Sequence, residues 1–166
     1  MDSFLVDELI GVLNKEAVLY EDVLKMSKNK TGIIVEGKIA DLESIVKLEQ
    51  SMILQLAKLE DIREGLVEKL SKQLGVDSNE LTITQLSNLL QKEQASKLNT
   101  CHKGLAKVLT ELRDANGLNS KLIKNSLEYI DFSINLLANV NTAGNLYGNS
   151  GQTNESRKRN FFDVKL

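Results

Sequence analysis

Residues 42–70, LESIVKLEQSMILQLAKLEDIREGLVEKL, decide the fold. Taken at alternating steps of three and four, they give Leu42, Ile45, Glu49, Met52, Leu56, Leu59, Arg63, Leu66 and Leu70. Nine consecutive positions keep the rhythm and seven are apolar. That is the heptad pattern of a seam along one face of a long α-helix. The helix is expected from Ile33 to Leu74, with Gly75 placed to end it and Gly37 and Gly65 weakening it slightly. At 1.5 Å per residue such a rod spans about 60 Å and cannot bury its own seam, so other helices must run beside it. Glu49 and Arg63 interrupt the seam. Either they pair across a bundle, or their long stems carry the charges out to water, which is the commoner outcome.

Working towards the N-terminus, a first helix is expected over 3–26. Ser3 can cap it, and Asp7 and Glu8 suit the positive end of its dipole. Leu5, Leu9, Val12, Leu19, Val23 and Met26 share one face, which Glu16 interrupts. The polar run Ser27-Lys28-Asn29-Lys30-Thr31-Gly32 reads as the turn into the long helix.

Working towards the C-terminus, 76–82 reads as a second turn, with Thr82 or Thr84 as the next cap. A helix over 84–115 follows, again stepping by three and four from Leu98 through Cys101, Leu105, Val108, Leu112 and Ala115. At Asn116-Gly117 the chain either kinks or runs on. Asn116 and Asn119 are either buried polar residues that set a register or the sign of a local break.

The last helix, 118–140, carries two apolar stripes. Ile123, Leu127, Ile130, Ile134 and Leu137 form one. Leu118, Leu122, Tyr129, Phe132, Leu136 and Val140 form the other, roughly 130° away. Together they cover roughly 220° of arc, about twice what a surface helix needs. Either the helix is central and touches two neighbours, or one stripe packs on the bundle while the other awaits a partner. Beyond it, 141–166 is rich in Asn, Gly, Ser and Thr and is expected to be a flexible polar tail. Its aromatics Tyr147, Phe161 and Phe162 suit a short docking motif, unless the tail is inert.

The expected fold is therefore all-α: a long antiparallel bundle or coiled coil of three to four helices over 1–140, with a tail. The 166 residues suit one domain, 42% hydrophobic and 27% charged, with no proline to interrupt a helix and only 4% aromatic residues. Net charge is −2, with Lys and Glu mixed along the helices, so nucleic acid is not an expected partner. The start has no basic, apolar leader, and no stretch approaches the roughly 20 apolar residues of a membrane span. One cysteine cannot make an internal disulfide, and the expected location is the cytoplasm.

Chemistry is hard to find. Cys101 and His102 are helical neighbours that point about 100° apart, so they cannot face each other as nucleophile and base. A bundle di-iron site needs two Glu-x-x-His pairs, whereas this chain has one His with Asn99 where the Glu would stand. The tail glycines lack the Gly-Lys-Ser/Thr of a phosphate loop, and no zinc-ligand spacing exists. No enzyme activity, cofactor or metal is expected.

The order of segments carries a resemblance. The opening helix Leu5–Leu24, Leu59-Glu60-Asp61-Ile62-Arg63 within the heptads, Leu74-Gly75, Leu81-Thr82-Ile83-Thr84-Gln85-Leu86, and Asn116-Gly117-Leu118-Asn119-Ser120-Lys121-Leu122-Ile123 are similar in order and spacing to the FlgN family of flagellar type III export chaperones. Tyr147-Gly148 and Phe162-Asp163-Val164 resemble Gram-positive members. The resemblance implies a cytoplasmic chaperone that covers an aggregation-prone helix of hook-associated filament-junction proteins and delivers them to the export gate. It implies substrate contact through the C-terminal helical region. The expected partner-binding residues are then Leu122, Ile123, Leu127, Ile130, Ile134 and Leu137, with Tyr147, Phe161 and Phe162 in the tail. At most a modest self-association is expected. The rival reading, a coiled-coil adaptor or oligomerisation module unrelated to secretion, needs no exposed second stripe.

Overall fold

A computed structural model describes residues 2–144, with side chains as far as residue 138. All regular structure in the described residues is helical: α1 spans Ser3–Val35, α2 Ile39–Leu74, α3 Ile83–Leu89 and α4 Lys92–Gly144. The chain falls into two units, one ending at Ser126 and one beginning at Leu127. The expected tail, including Tyr147, Phe161 and Phe162, lies outside the described residues, as does the side chain of Val140.

Local chemistry sets the helix ends. Asp2, not the expected Ser3, caps α1: its carboxylate accepts the Phe4 N–H at 3.0 Å. Glycine makes both tight reversals. Gly37 between α1 and α2 has φ +67°, and Gly75 at the end of α2 has φ +69°, a region that a Cβ disfavours. Thr82 opens α3 with a reciprocal capping box: Thr82 Oγ1 accepts from the Gln85 N–H and Gln85 Oε1 accepts from the Thr82 N–H. Leu90 then takes up an extended conformation, and α4 begins two residues later.

In the first unit, contacts along the helices give their directions. Asp2 meets Gln73 across a chain separation of 71 residues, and Lys30 meets Glu49 across 19, so α1 and α2 are antiparallel. Between α1 and α4 the separation stays between 83 and 92 residues, from Ser3–Gln94 to Thr31–Asn119, so these two are parallel. One apolar cluster joins Val6, Leu9, Ile10 and Leu13 of α1, Leu66 and Leu70 of α2, Leu86 of α3, and Leu98 and Cys101 of α4. A second joins Val23 and Leu24, Leu56, and Leu112. The seam read from 42–70 supplies both, through Leu56, Leu66 and Leu70.

Two expected boundaries move, and a third point, left open, proves continuous. The run 27–32 is not a turn, because α1 continues through it to Val35 and reversal falls at Gly37. The helix expected over 84–115 is broken at Leu90, at the start of the polar 91–97 stretch, leaving α3 as a separate short helix. The 84–115 and 118–140 segments are not divided at Asn116-Gly117, since α4 runs unbroken from Lys92 to Gly144. A lone glycine costs a helix about 1 kcal/mol, which neighbouring turns of a 53-residue helix absorb.

A candidate partner-binding face and the polar layer beside it

The charged seam residues are paired across the bundle. Lys30 Nζ contacts both carboxylate oxygens of Glu49, at 2.7 and 2.6 Å, with both side chains largely buried. Arg63 binds Glu60 one turn away, and its Nε lies 3.6 Å from Glu16 Oε1. The snorkelling outcome is thus corrected, because α1 places an opposite charge within reach of each residue. Glu16 is 3% exposed and its Oε1 accepts no hydrogen bond. Burial holds its carboxyl above the usual range, Arg63 pulls it partly back, and Glu60 pushes it up again.

Ser27 and Thr31, expected in a turn, form a buried polar layer with α4. Thr31 Oγ1 donates to Asn119 Oδ1 at 2.6 Å. Asn119 Nδ2 donates to the Ser27 carbonyl at 2.8 Å and to Ser27 Oγ at 3.3 Å. Ser27 Oγ donates to Asn116 Oδ1 at 2.8 Å. Ser27 is fully enclosed, and Asn119 is 2% exposed. Of the two asparagines, Asn119 is a buried polar residue paired with α1, whereas Asn116 is exposed and accepts from Ser27. A signal was present in the sequence: Val23, Ser27, Thr31 and Ile34 keep the spacing of one helical face.

Beyond this layer the character of α4 changes. Ile123, Leu127, Ile130, Ile134 and Leu137 are all exposed. So are Leu118, Tyr129, Phe132 and Leu136, with Tyr129 at 73% and Phe132 at 64%. Leu122 alone of the expected contacts is half-buried. Among the described residues, every member of the first stripe and all but Leu122 of the second are exposed. Large apolar side chains in such a run normally mark a surface that another molecule covers.

Cys101 belongs to the apolar core. Burial, with the Glu16 charge, raises its thiol above the ordinary range, so it is a packing residue rather than a nucleophile. His102 beside it is exposed. Among the described residues, no group of three or more His, Cys, Asp or Glu is placed to hold a metal, and no helix is long and apolar enough to cross a membrane.

Comparison with known proteins gives a consistent picture. The family model described as "FlgN protein" matches residues 1–155. The "Uncharacterized protein YvyG" of Bacillus subtilis (strain 168) is 28% identical over 159 residues, covering 95% of this chain and 96% of that one. No solved structure matches.

Proposed function

The chain belongs to the FlgN family, the flagellar chaperones, and from that premise we propose that it binds hook-associated filament-junction proteins through α4 and holds them for export. The observation that carries this reading is the open apolar arc of α4, from Leu118 to Leu137. In a chaperone, such an arc has a use: it offers a helix of the client a surface as apolar as the one the client will meet in its final assembly. The mode is helix-in-groove or intermolecular bundling, with Ile123, Leu127, Ile130, Ile134 and Leu137 as the anchors and half-buried Leu122 at the edge.

The chemistry asked of the protein is modest. Apolar burial of roughly 25 cal/mol per Å² supplies the affinity, and no covalent step is needed. A client helix covered this way cannot pair prematurely with its own kind. Release at the export gate of the flagellar apparatus, and a cytoplasmic site of action, complete the reading.

The test is calorimetric titration of a hook-associated junction protein from the same cell against the native chain and Ile130→Asp/Ile134→Asp. Both positions are exposed, so the variant should keep its helical circular dichroism and bind at least 10-fold more weakly. Unchanged affinity would remove the arc from the binding site. Failure of the native chain to bind any junction protein would remove the client class.

A further inference from the structure

We infer that the buried polar layer of Ser27, Thr31 and Asn119 is a register lock, selecting one heptad alignment of α4 on α1. It thereby fixes where along α4 the packed seam stops and the partner-binding face starts. That second half rests on the function proposed above; the first does not.

The need for a lock comes from the sequence. Leu98, Cys101, Leu105, Val108, Leu112, Ala115, Asn119 and Leu122 repeat at steps of three and four. A slide of one heptad, about 10 Å, in the direction that carries Leu105 to the place of Leu98 therefore returns apolar residues to most layers. Other α1–α4 contacts resist such a slide only weakly. Lys28–Glu111 and the contacts of Gln94 with Ser3 and Asp7 are exposed.

The polar layer distinguishes the registers at one end of the seam; at the other, the slide that brings Leu112 to the place of Asn119 would also set Gln91 and Gln94 where Leu98 and Cys101 are buried. In the observed register, Asn119 accepts from Thr31 and donates twice to Ser27. A slide one way brings Leu112 to this place. The Ser27 hydroxyl would then sit in a site closed to water with no side-chain partner on α4, and Thr31 would lose its short bond. A slide the other way brings Ser126, whose hydroxyl is already given to the Leu122 carbonyl at 2.9 Å and cannot replace two amide donors. That slide would also draw Leu122 and Ile123 against α1, covering the start of the binding face. Either wrong register takes the Asn119 amide away from Ser27 and leaves Thr31 only its 3.3 Å contact with the Ser27 carbonyl, so the layer acts by penalising alternatives rather than by adding much stability.

The experiment reads the register directly. Spin labels are placed at Lys25→Cys and Arg113→Cys, both well exposed, in a full-length Cys101→Ala chain. The separation is measured by pulsed dipolar spectroscopy with the layer intact and after Ser27→Ala/Thr31→Val/Asn119→Leu. The intact layer should give one narrow population. The apolar layer should add a second, displaced population, with a thermal midpoint no lower than the parent and affinity for the junction protein reduced at least 10-fold. A single unchanged population in the variant would overturn the lock. A second population with unchanged affinity would overturn its link to binding and leave the lock standing. If the triple variant does not melt cooperatively, Asn119→Leu alone is read by the same distances and the same criteria. The distance measurement uses no partner, so it tests the lock even if the chaperone reading fails.

Discussion

Glu16 shows how one residue can be misplaced for stability and still sit within a folded core. Its carboxylate is almost wholly enclosed, with one oxygen accepting no hydrogen bond and Arg63 at 3.6 Å only partly neutralising it. Its pKa in the folded protein is raised, first by burial, so folding favours the protonated form. The sign of the pH effect follows. The stabilisation from protonated Glu16 is fully present below the unfolded carboxyl value of about 4.3 and is lost as pH rises through the raised folded value. At neutral pH burial of this carboxyl works against the fold. Glu16→Gln, a neutral isostere, should therefore raise the thermal midpoint at pH 7, and its advantage should shrink as the pH is lowered through that window. Thermal melts of both proteins between pH 4 and 7 check this; a constant or reversed difference would mean that the Arg63 contact outweighs burial. The sequence marked Glu16 as an interruption of an apolar face, but its partner, 47 positions further on, was visible only once α1 and α2 were paired antiparallel.

At the scale of the helices, what was legible depended on whether a signal was local. The long seam of α2, its stop at Gly75 and the Thr82 cap are carried by residues within one or two turns of each other, and all are found. The segment 27–32 misled because Ser, Asn, Thr and Gly together normally mark a turn. Here Ser27 and Thr31 have their hydrogen-bond needs met by α4, about 90 residues away, and so can stay helical. Gly117, where a kink or a continuous helix was equally open, lies inside the unbroken α4, between Asn116 and Asn119, which both pair with α1. This gives a direct prediction. Apart from its chain neighbours and the local helix backbone, nothing lies within 4 Å of a Cβ built at Gly117, and its backbone is helical, so Gly117→Ala should stabilise the protein by about 0.5–1 kcal/mol, read from denaturant unfolding. Destabilisation would mean that the helix is interrupted there. Gly37 and Gly75 are the contrasting cases, because their positive φ requires what a Cβ opposes.

For the whole molecule, the two units separate folding from the proposed binding. The first holds both apolar clusters, the Lys30–Glu49 pair and the polar layer. The second begins at Leu127 and includes most of the exposed stripe. A chain ended after Ser126 should therefore keep a single cooperative thermal transition within a few degrees of the parent, yet no longer hold a junction protein in co-purification. Loss of the transition would show that the stripe is part of the folding core; retained capture would move the binding site into the first unit. The sequence by itself determined that this protein is a set of long amphipathic helices, because a 3-4 apolar rhythm can be satisfied only by helices packed side by side. It also marked the 118–137 region as more apolar than a surface helix requires. Only the tertiary structure decided which polar residues were interruptions and which were contacts. Glu16 with Arg63, Lys30 with Glu49, and Ser27 and Thr31 with Asn119 are pairings between helices, and local spacing can place such a residue on a buried face but cannot name its partner on another helix.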